Sequence, residues 1–245
     1  MTIATDTRSH DARNAWARKP SLRAVYTDLY QRIAARCVPG VTLEVGGGSG
    51  NFKDYAPGTI STDIITAPWL DAVTNASHLP FADGAISNIV LFDVLHHIEF
   101  PVRFFDETAR VLRPGGRIIF SEPAITPVSN LFYTYMHPEP VDMRANVFAV
   151  GEHNPDRDPY DANQAIPTLM MRNQHDQFEV RFPNLRIHET QLTSLLAYPM
   201  TGGFRSWTII PGAMVPLVLG LERILIPILG PLMAFRILSV IERRA

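Results

Sequence analysis

Between residues 41 and 127 the sequence alternates short apolar runs with turns rich in glycine, aspartate and proline. The runs that predict strands are Val41–Val45, Thr59–Asp63, Asp71–Thr74, Ile89–Phe92 and Arg117–Ser121. A helical pattern over Val102–Leu112 precedes the last run, and Arg-Pro-Gly-Gly stops it. Strands that alternate with helices and loops predict an α/β fold with a mostly parallel sheet. Ligands bind such sheets beyond the carboxyl ends of the strands, so the residues after each strand form the candidate site.

Composition excludes several classes of protein. The 245 residues are 46% hydrophobic and 19% charged, which is typical of a folded chain. The net charge of -2 and the scattered basic residues argue against a nucleic-acid partner. Cys37 is the single cysteine, which excludes an internal disulfide and a multi-cysteine metal site. The first residues lack the apolar core of a secretory signal, and we therefore expect a cytoplasmic protein.

The first predicted strand ends in a glycine-rich loop, Glu44-Val45-Gly46-Gly47-Gly48-Ser49-Gly50. Glycine permits sharp turns and lets the backbone approach a ligand closely, although tight packing alone explains many such loops. The dinucleotide fingerprint requires G-x-G-x-x-G, and here the third glycine comes one residue early. The spacing therefore favours a ligand without a pyrophosphate group, and it disfavours a nicotinamide-dependent oxidoreductase.

Polar residues follow the second and third predicted strands. Asp63 ends the second strand, where a carboxylate can accept hydrogen bonds from both hydroxyls of a ribose. Asn75 and Ala76 follow the third strand, where an amide oxygen and a backbone N–H can bind an adenine edge. Taken singly, Asp63 is equally well a turn residue, and Asn75 an Asx turn. The order of these features along the chain favours a nucleoside site.

Together these motifs resemble the class I S-adenosylmethionine-dependent methyltransferase family, of the type 11 kind. The resemblance covers about residues 40–125 and rests on TLEVGGGSG, Asp63, NASHLPFADG, LFDVLHHI and FFDETARVLRPGGRIIFSEP. The run EPAITPVSNLFYTYMHPEPVD has a looser likeness to methyltransferases of bacterial polysaccharide and secondary-metabolite clusters.

The resemblance implies a Rossmann-like three-layer sandwich with S-adenosylmethionine as cofactor. It places the methionine end of the cofactor on the glycine loop. It also places Asp63 on the ribose, Asn75 and Ala76 on the adenine, and Phe92 with Asp93 on the methionine side.

Two features depart from the family pattern. Asn75 stands where the family commonly has aspartate, and an amide keeps the hydrogen-bond acceptor. Eleven residues separate Asp63 from Asn75, too few for a strand and a full helix. We therefore expect the helix between them to be reduced to a turn around Trp69, a residue that either packs in the core or covers the adenine.

Candidates for a catalytic base on the acceptor side are His97, Glu122 and His137, which follow the fourth and fifth strands or lie in YTYMHPEPVD. Each has a structural alternative, as part of a helical turn, a capped carboxylate or a surface turn respectively. His96 and His97 are adjacent in sequence, which is not a convincing ligand pattern, and we expect no metal.

The chain divides into four segments. Residues 1–40 form an N-terminal segment, loose and polar over 1–20 and then helical over Ser21–Arg36. Residues 41–127 form the cofactor-binding core, and residues 128–206 a substrate-side lid with the remaining core strands. Residues 207–245 form an apolar helical cap. The fold class is therefore a Rossmann-like α/β sandwich with a helical lid and an apolar C-terminal cap.

The apolar segment 207–241 has three interpretations. It could form a pair of buried helices that complete the core or a homodimer interface, a wall of an apolar pocket, or a patch that docks on a membrane. We therefore expect a methyltransferase that acts on a small-molecule acceptor, partly apolar or lipid-linked. The alternative is a non-catalytic protein of the same fold that binds the cofactor or serves as a scaffold.

Overall fold

In the computed structural model, which describes residues 7–154 and 156–244, a seven-stranded sheet forms the centre of the chain. Its strands are β1 (Thr42–Val45), β2 (Ile60–Asp63), β3 (Ala72–Val73), β4 (Ile86–Phe92), β5 (Leu112–Pro123), β6 (Leu185–Thr193) and β7 (Arg236–Arg243). Their order across the sheet is β3-β2-β1-β4-β5-β7-β6, and β7 runs antiparallel to both of its neighbours. This architecture confirms the predicted Rossmann-like α/β fold.

All five predicted strands are present, and two extend further than their apolar runs. β4 begins at Ile86, whereas the predicted run began at Ile89. The polar residue Asn88 interrupts the apolar pattern, although it is fully buried in the strand. Its side-chain amide accepts from the backbone N–H of Val38 at 2.8 Å and donates to the carbonyl of Val38 at 2.8 Å. A buried amide with satisfied hydrogen bonds is tolerated in a strand, but hydrophobic periodicity does not reveal it.

Eight helices accompany the sheet within the described residues: α1 (Thr7–Arg18), α2 (Pro20–Ala34), α3 (Pro101–Val111), α4 (Pro127–Met136), α5 (Ile166–Thr168), α6 (His175–Arg181), α7 (Ala197–Thr201) and α8 (Val215–Met233). The helix predicted over Val102–Leu112 is α3, and that over Ser21–Arg36 is α2. Helix α1 corrects the prediction of a loose segment over 1–20, of which residues 1–6 lie outside the described part. Its sequence is polar because most of it faces solvent, so no apolar stripe marks it.

Helix α2 covers one face of the sheet. Its buried stripe includes Leu22, Val25, Leu29 and Ile33, which pack with residues of β4, β5 and β7 in one hydrophobic cluster. Between β1 and β4 the described chain forms the strands β2 and β3 joined by turns, such as the 3-10 turn Phe52–Asp54, and no α-helix. The predicted loss of the helix after β2 is thus confirmed, and the N-terminal helix α2 covers the face that such helices would occupy.

The C-terminal segment consists of one exposed helix and one buried strand, so the expectation of a pair of buried helices is wrong. Strand β7 lies between β5 and β6, and Ile237, Leu238, Val240 and Ile241 are completely buried. A strand buried on both faces has a continuous apolar sequence, which periodicity alone does not distinguish from a buried helix.

Candidate cofactor and acceptor site

A cavity of about 710 Å³ opens at the carboxyl ends of the central parallel strands. Helix α1 and residues 198–207 border it, with the glycine loop on one side and a group of histidines on the other. The predicted site residues that line it are Glu44, Gly46, Gly47, Gly48, Asp63, Asn75, Ala76, Phe92, Asp93, His97 and His137. Gly50 and Glu122 lie behind the lining. The cavity is large enough to hold a nucleoside cofactor beside a small acceptor.

The glycine loop adopts backbone angles that require glycine. Gly46, Gly48 and Gly50 have φ values of +73°, +46° and +72°. A Cβ atom on Gly46 would lie 2.2 Å from a methyl carbon of Val94, whereas one on Gly48 would meet nothing closer than 4.0 Å. Gly46 is therefore required by packing, while Gly48 leaves its backbone open to a ligand.

Asp63 is held by the glycine loop. Its Oδ2 accepts from the N–H of Gly48 at 2.9 Å, and its Oδ1 accepts from the N–H of Ile65 at 3.0 Å. Each carboxylate oxygen can accept a second hydrogen bond, and the residue lines the cavity. The geometry therefore couples the loop to the carboxylate that the sequence assigns to a ribose.

Glu44 lies beneath the same loop. It is 4% exposed and accepts a hydrogen bond from the hydroxyl of Ser61. Burial raises its pKa to about 7, despite the hydrogen bond from Ser61 and the nearby charge of Lys53. A carboxyl group with this pKa is about half ionised at neutral pH, and a cationic ligand beside it would favour the ionised form.

On the adenine side Asn75 and Ala76 line the cavity, and their assignment to the adenine stays a prediction. Asn75 forms the Asx turn that was the alternative, because its Oδ1 accepts from the N–H of Ser77 at 2.8 Å. The preceding residue, Thr74, is 8% exposed, and no described group forms a hydrogen bond with its hydroxyl. Thr74 lines the cavity, so this hydroxyl can bind a ligand there. A threonine at a strand end gives no sequence signal for such a role.

Asp93 forms an ion pair that sequence reasoning missed. Arg236 is completely buried, and its guanidinium donates to both oxygens of Asp93, at 2.6 and 3.2 Å. The same guanidinium lies 4.5 Å from the ring centroid of Phe92 and 5.0 Å from that of Tyr198. Asp93 itself has a φ of +57°, a strained angle for a non-glycine residue. The only signal in the sequence was an arginine within an apolar run.

The acceptor side of the cavity centres on His96, not on Glu122. His96 is 2% exposed, and its Nδ1 lies 2.6 Å from Oε2 of Glu122, while its Nε2 lies 3.4 Å from Oε2 of Glu139. Glu122 also accepts from the N–H groups of Val94 and Leu95 at 2.7 and 2.9 Å. Because Glu122 is fully buried and bound by these groups, the prediction that it acts as a base is corrected. It positions His96.

These contacts give His96 a different pKa shift from those of His97 and His137. Burial disfavours charge on His96, but Glu122 and Glu139 outweigh it and raise its pKa to about 10. Burial, and then the charge of His96, lower the pKa of His97. Burial likewise lowers the pKa of His137, against the opposite effect of Glu139. At neutral pH His96 is therefore an imidazolium, whereas His97 and His137 are neutral imidazoles.

His96, His97 and Glu139 offer ligand atoms within 4.8 Å of one another, a set that could hold a metal ion. Glu122 and Gln164 already form hydrogen bonds with His96 and Glu139, so these groups are satisfied without an ion. The expectation that no metal is needed remains a prediction.

Another buried cation, Lys19, shapes the outer wall of the cavity. Lys19 is 8% exposed, and its Nζ lies 2.6–2.9 Å from the carbonyl oxygens of Thr201, Gly203, Arg205 and Trp207, which share its three N–H donors. The segment that it gathers brings Phe204 and Trp207 into the cavity lining. Lys19 therefore fixes the loop that closes the acceptor side.

Helix α1 and Trp69 close the cofactor side. The indole N–H of Trp69 donates to the carbonyl of Gly48 at 2.8 Å. The guanidinium of Arg13 lies 4.7 Å from the Trp69 ring centroid and donates to the carbonyl of Ser49 at 2.9 Å. Trp69 thus contacts both the glycine loop and helix α1 and holds them together. Of the two predicted roles, it takes neither, since it is not part of the core and does not line the cavity.

The chain is similar to known methyltransferases. Residues 43–120 match the methyltransferase domain family. A probable S-adenosylmethionine-dependent methyltransferase of Mycolicibacterium smegmatis is 32% identical over 124 residues, 45% of this chain and 46% of that protein. A demethylmenaquinone methyltransferase of Beutenbergia cavernae is 32% identical over 87 residues, 34% of this chain and 36% of that protein. The matches thus span less than half the length of these relatives.

Among solved structures, a SAM-dependent methyltransferase from Archaeoglobus fulgidus superposes with a TM-score of 0.54 at 12% identity, over 92% of this chain and 94% of that one. This likeness supports the fold. The fold and the glycine-loop site define a class I nucleoside-binding α/β domain. Residues 43–120 therefore form a methyltransferase domain, and the cofactor is S-adenosylmethionine.

Replacing Asp63 with alanine should weaken S-adenosylmethionine binding by about 2–4 kcal/mol, because two charge-assisted hydrogen bonds to the ribose are lost. Asn75→Ala should cost only about 1 kcal/mol, since a neutral acceptor is removed. Calorimetric titration of both variants measures the difference. If Asn75→Ala weakens binding more than Asp63→Ala while both stay folded, the assignment of the two strand ends is wrong.

Proposed function

We propose that this protein transfers a methyl group from S-adenosylmethionine to a small, partly apolar acceptor. The observation that carries this proposal is the single cavity that joins the glycine loop and Asp63 to neutral His97 and His137. Aromatic side chains supply the rest of the acceptor side, among them Phe132, Tyr133, Tyr198, Phe204 and Trp207. Ligand pockets of small apolar molecules combine such a lining with a few fixed polar groups.

The residues present fit the cofactor. Gly48 leaves open space for close backbone approach, Asp63 offers free lone pairs, and the buried hydroxyl of Thr74 lacks a partner among the described residues. When bound, S-adenosylmethionine supplies an electrophilic methyl group on a positively charged sulfur. The protein's part is to align the acceptor with that methyl group and to exclude water.

His97 accepts the proton that the acceptor loses as its new bond to the methyl group forms. A neutral imidazole is required for this step, and burial together with the neighbouring imidazolium of His96 keeps His97 neutral at pH 7. Glu122 and Glu139 hold the His96 ring, whose centroid lies 4.2 Å from that of His97. Glu122 and His96 are thus positioning residues.

Support for an apolar acceptor also comes from the relatives, one of which is named a demethylmenaquinone methyltransferase. The test is incubation of the protein with deuteromethyl-labelled S-adenosylmethionine and an organic extract of cells, followed by mass spectrometry. We expect one labelled product in the organic phase. If the protein binds the cofactor but labels nothing in organic or aqueous fractions, it is the non-catalytic binding or scaffold protein of the alternative interpretation. A fully polar acceptor would contradict the apolar part of the proposal.

We further propose that helix α8 lies on a lipid surface from which the acceptor enters. Leu217, Ile224 and Ile228 are 72%, 73% and 77% exposed and follow helical spacing, so one face of α8 is an apolar stripe. Helix α4 packs against α8 and exposes Leu131 and Tyr135 as well. An exposed apolar surface of this extent is typical of an interaction site.

Lipid is favoured over a second copy of the chain because this surface reaches the mouth of the cavity. The guanidinium of Arg205 donates to the carbonyl of Met136, which joins the end of α4 to the loop that carries Phe204 and Trp207. Both aromatic side chains are partly exposed and line the cavity. An apolar molecule dissolved in a membrane would therefore meet the opening directly.

A surface location fits α8 better than a membrane-spanning one. Within the described residues, Gly212–Met233 is the helix long and apolar enough to cross a membrane, by length and composition only. Its buried Glu222 accepts from the backbone N–H groups of Leu196 and Ala197, and the chain enters the central strand β7 directly after the helix. The helix is thus fixed along the domain, with its opposite face exposed.

Replacing both Ile224 and Ile228 with glutamate should lower binding to vesicles of equimolar phosphatidylcholine and phosphatidylglycerol by about tenfold or more, because two apolar side chains no longer leave water. Vesicle sedimentation measures this binding. The control is Val180→Glu, on the exposed surface of α6 at 82% exposure. If the wild-type protein does not bind the vesicles and instead forms a dimer that the double variant abolishes, the surface is a homodimer interface and the lipid proposal fails.

A further inference from the structure

Gln164 carries a hydrogen-bonding atom that the proposed reaction leaves unused. The side chain lines the cavity and is 2% exposed, yet no group in residues 7–154 or 156–244 donates to its Oε1. A buried acceptor without a donor costs about 1–3 kcal/mol, and native structures contain few of them. Such an atom at a cavity wall points to a donor on the ligand.

The orientation of the Gln164 amide is fixed by its neighbour. Its Nε2 donates to Oε2 of Glu139. Because burial is outweighed by hydrogen bonding to His96, the pKa of Glu139 falls to about 2, and its carboxylate can only accept. Rotating the amide by half a turn would set the two oxygens against each other. The carbonyl oxygen is therefore the free atom.

The polar groups around the Gln164 carbonyl oxygen are also hydrogen-bond acceptors. Glu139 accepts, and His97, as a neutral base, presents an acceptor nitrogen. A ligand that lies against Gln164, Glu139 and His97 must bring its own N–H or O–H groups. The imidazolium of His96 lies next to Glu139, at 3.4 Å, and offsets its charge. This arrangement favours a neutral donor over an ammonium ion.

We infer that Gln164 and Glu139 form a subsite for a hydroxyl group of the methyl acceptor, which is then a phenol, enol or alcohol. This inference rests on the proposed function and names the class of its substrate. The hydroxyl proton bonds to Oε1 of Gln164 or to His97. Where that oxygen or its conjugated carbon is methylated, the proton leaves to His97 and the sulfonium becomes a neutral thioether, so that charge balances.

The test compares 4-butylphenol with its methyl ether, which lacks the O–H donor and carries one more methyl group, in the presence of S-adenosylhomocysteine. Quenching of tryptophan fluorescence, to which Trp207 in the cavity wall contributes, reports binding. The wild-type protein should bind the phenol about three- to tenfold more tightly than the ether, the value of one hydrogen bond. Gln164→Met, which keeps the side-chain length and removes the acceptor, should abolish this preference. The matched control is Gln177→Met on the exposed face of α6.

Three outcomes would overturn the inference: equal wild-type affinity for phenol and ether, a preference that survives in Gln164→Met, or tighter binding of 4-butylbenzylamine than of the phenol. Calorimetry with S-adenosylhomocysteine on the same samples shows whether Gln164→Met remains folded and loaded. If it does not, Gln164→Leu takes its place. If wild-type protein binds S-adenosylhomocysteine and transfers methyl groups without any phenol preference, the subsite alone is wrong. If the wild-type protein does not bind S-adenosylhomocysteine at all, the proposed function itself is contradicted.

Discussion

Replacing His97 with alanine is expected to lower the rate of methyl transfer by about 10²–10⁴, while affinity for S-adenosylhomocysteine stays nearly unchanged. His97 lines the cavity on the acceptor side, and burial together with the charge of His96 keeps its imidazole neutral. Single-turnover kinetics and calorimetry on the same variant separate the two effects. His188→Ala, at an exposed position of β6, is the matched control.

The pH profile provides a second readout of His97. Its pKa lies below the ordinary value of 6.5, so the neutral form dominates at pH 7. The rate should therefore be constant near neutrality and fall as pH drops through that lowered pKa, when the base becomes protonated. His137→Ala tests the other neutral imidazole in the same way. Equal losses of binding and turnover in His97→Ala would place the residue in the cofactor site and contradict its role as base.

Replacing Arg236 with methionine is expected to lower the free energy of unfolding by about 3 kcal/mol. Three groups each lose a hydrogen bond from the guanidinium: the carboxylate of Asp93, and the carbonyl and hydroxyl of Ser121, to which it donates at 2.9 and 3.1 Å. Methionine fills the space between Phe92 and Tyr198 but donates no hydrogen bond. Urea unfolding with a constant slope measures the change.

Arg117→Met is the control for Arg236. Arg117 lies on the neighbouring strand β5 and forms a partly exposed ion pair with Glu242 at 3.3 Å, so its loss should cost less than about 1 kcal/mol. The double variant Arg236→Met with Asp93→Asn should recover part of the stability, since no unpaired charge remains. If Arg236→Met and Arg117→Met destabilise the protein equally, the buried pair does not hold the end of β4.

The cofactor side of the site was predictable because its signals are local in sequence. Gly46, Gly48 and Gly50 have backbone angles that only glycine adopts easily, so the residue types themselves predict the turn. Asp63 follows a strand end, and the parallel sheet brings that end beside the loop. The Asx turn of Asn75 was also visible as an alternative, because it needs only the N–H of Ser77, two residues away.

The features that sequence reasoning missed depend on partners far along the chain. Arg236 pairs with Asp93 across 143 positions, and Lys19 binds carbonyls 182 to 188 positions away. Glu122 follows a predicted strand, a position that suits a catalytic base. Its oxygens are instead occupied by hydrogen bonds with Val94, Leu95 and His96, and these contacts show that it positions His96. Periodicity carries no information about such contacts.

The most direct test of the account is a calorimetric titration of the purified protein with S-adenosylmethionine, S-adenosylhomocysteine and NAD. The glycine spacing, the carboxylate of Asp63 in the cavity lining and the hydroxyl of Thr74, which has no hydrogen-bond partner among residues 7–154 and 156–244, fit a nucleoside without a pyrophosphate group. We expect saturable binding of the first two ligands at one site per chain and no heat from NAD. Binding of NAD with none of S-adenosylmethionine would contradict the account.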